Sequence, residues 1–459
     1  MVLDFVAQAA VALAAMMRPC CTMIRNRMPV ILVVAMLATG CGGGGTGAAI
    51  DAVYPPTVDG ARDIVDTTLV VDLAARSARA TITVAAATST GLSLEIGDLE
   101  VTAVTLNGRP LLWVDAGSRI DIGVPPSTSP FAVVIDYAWR FHDAFDGVAT
   151  SGYTLTWPYH CGNVFPCRSA PSDGTTFHLS VTGAAGGTPL YPAEIPADAP
   201  SYMAAWIVDD FTRLDLGRTA AGTRVAIWHR GDEAASAAAG GAHLRASFDW
   251  MERNLGPYRF GNEVGSVSAR WGPGAYGGME HHPMWHVSSA SLADAAANVH
   301  EAAHGWFGNG VRLRCWEDFV LSEGTVEYLK WRVLDEVAPA GVADRVWAGF
   351  ASELEAMRNG QGNGVAWPQG CGRIDILGDG LFSRVPYVKG AYFYRAVADR
   401  VGRPVLDQAL RTFYARWQGK AAGMNDMLDT IREVTGFDAD TCARAWLGSA
   451  TLPAGPGCP

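Results

Sequence analysis

The first half of the chain alternates apolar and polar side chains. This alternation runs through residues 68–73, 80–85 and 92–96, and Asn107-Gly108 marks a turn further along. Because successive side chains of a β-strand point to opposite faces, the pattern indicates strands that bury one face. Helical periodicity is weak here, so we predict an N-terminal antiparallel β domain over residues 53–216.

Helical periodicity dominates from about residue 242 onward. A helix is predicted over 244–255, where Gly256-Pro257 stops it, and a strand over 263–270. Further helices are predicted over 291–307, 322–336, 341–358, 387–401, 404–417 and 424–435. We therefore predict an α+β fold, with a mainly helical domain over residues 217–452 and a short tail at 453–459.

Composition supports two domains and excludes one class of partner. A chain of 459 residues exceeds the usual size of one domain, and a hydrophobic fraction of 49% allows a sizeable core. The net charge is −11, and three of the 35 basic residues are lysines. An acidic chain without a basic cluster argues against nucleic acid as a partner.

The first 40 residues resemble an export signal. Arg25 and Arg27 precede a short apolar run, which ends at Leu37-Ala38-Thr39-Gly40-Cys41. This ending resembles a bacterial lipobox, so we predict a signal region over 1–40 and a lipid on Cys41, with Met23 as an alternative start. We further predict a glycine-rich tether over residues 41–52 and expect the protein to be exported and anchored to a bacterial membrane. The alternative is an ordinary secretory signal without lipid.

Export makes disulfide bonds possible among the later cysteines. Six cysteines follow Cys41, an even number in a compartment that permits oxidation. We predict the pairs Cys161–Cys167, Cys315–Cys371 and Cys442–Cys458, the first and last because their members are near in sequence. Buried free thiols are the alternative.

A metal site is indicated by Val299-His300-Glu301-Ala302-Ala303-His304. Residues four apart lie on one face of a helix, so both imidazoles can bind one zinc ion. Glu301 follows the first ligand and can take a proton from attacking water without binding the metal. Glu323, at the start of a second predicted helix, is the candidate third ligand; alternatively it is a carboxylate that favours a helix N-terminus.

These residues resemble a known family. Two histidines in H-E-x-x-H, eighteen residues and then a glutamate are the gluzincin signature of the membrane alanyl (neutral) aminopeptidases. Its other motifs are matched, in family order, by Phe165-Pro166-Cys167, Gly277-Gly278-Met279-Glu280-His281, Gly305-Trp306-Phe307-Gly308-Asn309, Trp316-Glu317-Asp318 and Tyr387-Val388-Lys389-Gly390-Ala391. The chain ends soon after Ala445-Trp446-Leu447, so we expect a short form without the C-terminal helical domain of many members.

The resemblance implies a thermolysin-like catalytic domain with one Zn²⁺ that hydrolyses peptides. Tyr387 matches the tyrosine that donates a hydrogen bond to the developing oxyanion. Glu280 matches the carboxylate that binds the free α-amine of the substrate. Gly277, Gly278 and Met279 belong to the segment along which the extended substrate runs.

Two departures from the family pattern leave alternatives open. His281 replaces an asparagine, and Trp157 stands where many members have a glutamine near the substrate amine. The first alternative is therefore a zinc peptidase that cuts internally or in modified peptides. The second, from another class, is a catalytically silent binding lipoprotein on a peptidase scaffold.

Several polar residues near the motif have more than one interpretation. His281, His282 and His286 suggest a second metal site, but no carboxylate cluster accompanies them, and a polar cleft wall is the simpler interpretation. Glu327, one helical turn after Glu323, can hydrogen-bond a ligand histidine from behind or lie exposed. Asp318, which fits the family pattern, is the other candidate for such a supporting contact.

Overall fold

The structure is a computed structural model, and it describes residues 53–155, 160–272, 276–374 and 382–459. The predicted signal region at 1–40, the tether at 41–52 with Cys41, and Trp157 therefore lie outside the described residues. Within the described ranges, no helix combines the length and the apolar character needed to cross a bilayer.

Strands make up the part of the chain before residue 210, as the alternation predicts. In chain order they are β1 (Ile64–Asp72), β2 (Ser77–Val84), β3 (Gly91–Glu95), β4 (Glu100–Leu106), β5 (Arg109–Pro110), β6 (Trp113–Asp115), β7 (Arg119–Gly123), β8 (Phe131–Ala138), β9 (Thr175–Thr182), β10 (Thr188–Leu190), β11 (Glu194–Ala199) and β12 (Ile207–Asp209). Seven form one sheet in the order β11-β9-β1-β2-β8-β4-β5, and three form another in the order β3-β7-β6. β10 and β12 pair separately.

The seven-stranded sheet buries one face, and β2 shows why. Ala80 and Ile82 are fully buried opposite Ile135 and Val133 of β8, while the side chains between them reach solvent. Pairing is antiparallel in these sheets except between β1 and β9, which run parallel. This corrects the predicted antiparallel arrangement at one place, because the long connection after β8 brings the chain back in the direction of β1.

The second part of the chain combines a five-stranded sheet with helices. Its strands are β13 (Thr212–Arg218), β14 (Arg224–His229), β15 (Glu263–Ala269), β16 (Gly278–Met279), β17 (Met284–Ser288), β18 (Arg312–Leu313) and β19 (Ala421–Ala422). Its helices are α1 (Ala234–Gly240), α2 (Leu244–Asn254), α3 (Ala295–Ala303), α4 (Phe319–Val337), α5 (Val342–Arg358), α6 (Arg384–Val401), α7 (Arg403–Trp417), α8 (Met424–Thr435) and α9 (Asp440–Trp446). The main sheet has the order β13-β14-β15-β17-β16, and β18 pairs with β19.

The predicted fold class, a β region followed by a mainly helical region, is confirmed. The boundary predicted between residues 216 and 217 lies inside β13, which already belongs to the second sheet. The alternating pattern could not locate this change, since it continues from one sheet into the next. The short helices α1 and α9 were not predicted.

Helix α3 is shorter than its predicted range, and local contacts explain both ends. The Asp294 carboxylate accepts a hydrogen bond from the Ala296 N–H at 2.8 Å and so caps the first turn. After Ala303 the chain leaves the helix, and Gly308 turns it with a φ of 102°. A side chain at this position would be strained by that φ and would meet Ser322 Oγ at 2.4 Å.

Helices α4 and α6 cross at two glycines with almost no space between their backbones. A Cβ atom added to Gly390 would lie 2.4 Å from the Gly324 Cα, and one added to Gly324 would lie 2.7 Å from the Gly390 Cα. Both glycines are buried. Any side chain at either position would force the helices apart, so glycine is required here by space and not by backbone conformation.

All three predicted disulfide bonds are present. Cys161 pairs with Cys167, Cys315 with Cys371 and Cys442 with Cys458. The second closes the longest loop, with a sequence separation of 56, and ties the segment before residue 374 to the start of α4. The third joins α9 to the tail.

We predict that Gly390→Ala destabilises the protein by about 1–3 kcal/mol, since overpacking a tight contact forces backbones apart. The measurement is the free energy of unfolding in urea. Gly349→Ala on α5 is the matched control, because a Cβ there meets nothing within 4 Å. That control should be neutral or stabilise by up to about 1 kcal/mol, since alanine favours helices. Equal stability of the two variants would contradict the crossing.

Candidate metal centre

Three side chains from two helices converge at one point. His300 and His304 lie one turn apart on α3 and in its C-terminal cap, and Glu323 comes from the second turn of α4. The Nε2 atoms of the two histidines are 3.2 Å apart. Glu323 Oε2 lies 3.3 Å from the Nε2 of His300 and 3.5 Å from that of His304.

These spacings and the chemistry of the three donors fit a zinc ion. Zinc–ligand distances of about 2.0–2.1 Å in a tetrahedron place neighbouring donors about 3.3 Å apart. His304 Nδ1 lies 3.0 Å from the Phe307 carbonyl and donates to it, which assigns the lone pair to Nε2. Glu323 Oε2 is buried, and among the described residues it has no hydrogen-bond partner. Three lone pairs that face each other require a cation.

The electrostatics of the cluster lead to the same conclusion. Burial lowers the pKa of His300, but contacts with Glu323 and Glu327 outweigh burial and raise it to about 10. Burial also opposes a charge on His304, yet Glu280 and Glu323 raise its pKa to about 9. Burial raises the pKa of Glu323, and the imidazoles outweigh it and lower that pKa to about 2. The carboxylates thus attract positive charge, and a metal ion would displace these protons.

Glu301 lies beside the cluster and faces the short strand β16. One ligand-capable atom each of Glu280, Glu301 and His304 lies within 4.8 Å of the others. A Cβ on Gly278 would meet Glu301 Oε1 at 2.3 Å, so the glycine leaves room for this carboxylate. Burial, opposed by His300 and His304, raises the pKa of Glu301 to about 7.

The segment before Glu280 forms the short edge strand β16. Gly277 is exposed and Gly278 half-buried, while Met279 is buried and pairs with His286 of β17. Glu280 is half-buried, and burial raises its pKa. Its backbone carbonyl accepts a hydrogen bond from Asn309 Nδ2 at 2.8 Å, which holds the strand against the loop after α3.

Tyr387, on the first turn of α6, lies next to the ligands. Its ring centroid is 6.3 Å from that of His300, with 21° between the planes, and 6.0 Å from that of Phe319. Burial, reinforced by the charge of Glu323, raises the pKa of Tyr387 well above its usual value. The phenol therefore keeps its proton and remains a hydrogen-bond donor.

Glu327 is buried and contacts a predicted ligand. Its Oε1 lies 3.3 Å from His300 Nδ1, and its Oε2 lies 2.5 Å from Lys330 Nζ. Although burial opposes it, Lys330 and His300 together hold the pKa of Glu327 well below its usual range. Of the two interpretations of this residue, the geometry corresponds to support of His300 from behind and not to an exposed carboxylate.

Asp318 has a different role from the predicted one. Its Oδ1 accepts hydrogen bonds from the Trp367 indole at 3.1 Å and from the Met424 N–H at 2.8 Å, so it braces the start of α8. The Nδ1 of His304 is instead supported by the Phe307 carbonyl, with Ser322 Oγ at 3.3 Å. A backbone carbonyl leaves no signal in the sequence, which is why this partner was missed.

The three additional histidines are held by structural contacts. His281 Nδ1 donates to the Tyr202 carbonyl at 2.5 Å, and His282 Nε2 donates to the Glu301 carbonyl at 2.8 Å. The ring of His286 packs edge-on against His281 at 4.9 Å. Within the described ranges, no group of residues that could hold a metal includes these histidines. They form a buried wall behind the site, not a solvated one.

Comparison with known proteins agrees with this geometry. The model of the peptidase family M1 domain matches residues 279–446. Leucine aminopeptidase 2 from Neurospora crassa is 24% identical over 393 residues, which cover 74% of this chain and 56% of that protein. Aminopeptidase N from Streptomyces lividans is 25% identical over 390 residues, covering 77% of this chain and 45% of that protein.

A solved structure shares the fold over nearly its whole length. The M1 zinc metallopeptidase from Deinococcus radiodurans superposes with a TM-score of 0.73 at 19% identity, covering 88% of this chain and 98% of that one. The curated relatives are longer, and the chain spans about half to three-fifths of their length. Residues 279–446 therefore match the peptidase family M1 domain, and the chain is similar to gluzincin zinc metallopeptidases of the aminopeptidase type.

Proposed function

We propose that the protein is a zinc-dependent aminopeptidase that removes N-terminal residues from peptides. One observation carries the proposal: the carboxylates of Glu280 and Glu301 approach His304 together, within 4.8 Å of one another. One carboxylate can then hold the amino terminus of a peptide while the other acts at its first peptide bond. His300, His304 and Glu323 would hold a single zinc ion.

The bound zinc ion would supply a Lewis acid that activates water and polarises the scissile carbonyl. Glu301 accepts the proton of the attacking water at its carboxylate and returns it to the leaving amine. Burial raises the pKa of Glu301 above its usual value, and a carboxylate with a raised pKa is a better proton acceptor.

Tyr387 stabilises the oxyanion that develops on the carbonyl oxygen. A protonated phenol beside the ligands can donate a hydrogen bond as the charge forms, and this donor needs no rearrangement during the reaction. The stacking of its ring near His300 and its contact with Phe319 limit its motion. A hydrogen-bond donor that is already oriented stabilises the oxyanion more than a mobile donor does, because it need not be ordered in each turnover.

Glu280 binds the free α-ammonium of the substrate. The pair is a charge-assisted hydrogen bond, and it sets the distance from the chain end to the bond that is cut. Gly277 and Gly278 let the substrate backbone run close beside β16, since neither carries a side chain. His281 does not meet the substrate amine through its Nδ1, because that atom is occupied by the Tyr202 carbonyl.

We predict that Glu301→Gln lowers kcat by about 100- to 10,000-fold, the range attributed to general base catalysis. The amide keeps the shape of the side chain but cannot accept the proton. The measurement combines hydrolysis of aminoacyl-arylamides, including the leucyl compound, with metal analysis. Zinc content should stay at one ion per chain; an unchanged rate would refute the role of Glu301.

We further predict that acetylation of a peptide's N-terminus lowers kcat/KM by about 10- to 100-fold, since Glu280 is then left without its charged partner. The experiment compares a free peptide with its acetylated twin. Equal cleavage of both would favour the endo-acting or modified-peptide alternative. Loss of cleavage of both, with zinc bound, would favour a silent binding protein.

We also propose that the protein is exported and held on a bacterial membrane through a lipid on Cys41. The support is the lipobox-like sequence before that cysteine and three disulfide bonds, which persist in oxidising compartments. Labelling cells with a fatty-acid analogue should mark the wild type, and Cys41→Ser should release the protein from the membrane fraction. A label retained by that variant would exclude lipidation at Cys41.

A further inference from the structure

Arg384, the first residue of α6, lies between Glu327, which contacts the predicted ligand His300, and the proposed catalytic Tyr387. Its Nη1 is 3.6 Å from Glu327 Oε1, and its Cζ lies 4.9 Å from the centre of the Tyr387 ring. We infer that Arg384 is a positioning residue that couples the metal side of the centre to the oxyanion side. For its effect on turnover, this inference rests on the proposed function.

The first half of the coupling passes through Glu327. This carboxylate is buried, and it contacts the imidazole of His300 on one oxygen and the ammonium of Lys330 on the other. Arg384 approaches the same oxygen that contacts His300. A buried carboxylate needs compensating charge, so the guanidinium helps to hold Glu327 oriented toward His300.

The second half passes through the face of Tyr387. Residues three apart on a helix are neighbours, so the guanidinium at the start of α6 lies over the ring one turn later. Phe319 makes a T-shaped contact with the same ring, with the centroids 6.0 Å apart. The cation attracts the negative face of the ring and restricts its rotation, and the position of the hydroxyl follows the ring.

The guanidinium is itself held in one orientation. Glu353 of α5 accepts from its Nε at 2.8 Å and from its Nη2 at 3.3 Å, a two-point contact that fixes a plane. Its remaining side points to Glu327 and Tyr387. Glu353, Glu327 and Tyr387 therefore all contact one oriented guanidinium plane, although the Arg384 side chain is 47% exposed.

A lysine cannot reproduce the contacts of this guanidinium plane. An ammonium retains the charge near Glu327, but it has no plane to stack on the ring and no pair of parallel donors for Glu353. Arg384→Lys thus separates the two halves of the coupling. Arg384→Met removes both while retaining much of the apolar stem.

The test measures zinc affinity by competition with a chelator, together with kcat and KM. For Arg384→Met we expect zinc affinity about 3- to 10-fold lower, less than the 10- to 100-fold typical of losing a direct partner of a ligand. Its kcat should fall about 10-fold, with KM changed less than about twofold, because Tyr387 acts in the transition state. Arg384→Lys should bind zinc with wild-type affinity, but its kcat should fall nearly as far as that of Arg384→Met.

Arg395→Met is the matched control on the same helix. Its guanidinium stacks on Trp331 and Trp347, each at 4.3 Å, and has no contact with Glu327 in the described part of the chain. Zinc affinity and kcat should both remain at the wild-type level. If this variant loses as much as Arg384→Met, the effect belongs to the helix in general, and the inference is wrong.

A double-mutant cycle measures the coupling between Arg384 and the ring of Tyr387 without any substrate. Arg384→Met and Tyr387→Leu, alone and combined, should change the free energy of unfolding in a non-additive way. Additive effects would overturn the contact with Tyr387, and wild-type zinc affinity in Arg384→Met would overturn the contact with Glu327. An inactive wild type would refute the proposed function, while the affinity and the cycle would still decide on Arg384.

Discussion

The centre depends on the close approach of α4 and α6 at Gly324 and Gly390. Helix α4 carries Glu323 and Glu327, and α6 carries Arg384 and Tyr387. The missing side chains at the crossing let the two backbones nearly touch, so residues within two helical turns of the glycines can face the same small volume. A wider crossing would separate the third ligand from the tyrosine by more than their side chains can span. Two absent methyl groups therefore determine the geometry of four charged or polar groups.

Charge balance is the second constraint. Glu280, Glu301, Glu323 and Glu327 lie near one another in a poorly hydrated region. Such a concentration of carboxylates is unfavourable unless cations accompany it. Lys330 and Arg384 compensate at the back, the metal would compensate in the centre, and the α-ammonium of a peptide would compensate at the front. In the proposed aminopeptidase, the site is thus prepared for a positively charged chain end before the substrate arrives.

Much of this arrangement was predictable from the sequence, for identifiable reasons. The convergence of His300 and His304 follows from helical spacing, that of Glu323 follows from the family signature, and most helix boundaries follow from periodicity and caps. The parallel pairing of β9 with β1 did not, because it depends on the path of a long connection. The role of Asp318 was wrong, because a sequence cannot tell a partner of a ligand from a brace of α8. Arg384 was missed since it precedes the motif that marks its helix.

The hydrogen bond from His281 to the Tyr202 carbonyl joins the two parts of the chain directly beside β16. Tyr202 belongs to the N-terminal part of the chain, while β16 belongs to the second sheet. In the proposed aminopeptidase, β16 and Glu280 set the distance of one residue between the chain end and the bond that is cut. This segment is therefore held, through His281, by a residue of the N-terminal part of the chain. In that proposal, the N-terminal part of the chain helps to fix the position of β16, and with it the distance from Glu280 to the bond that is cut.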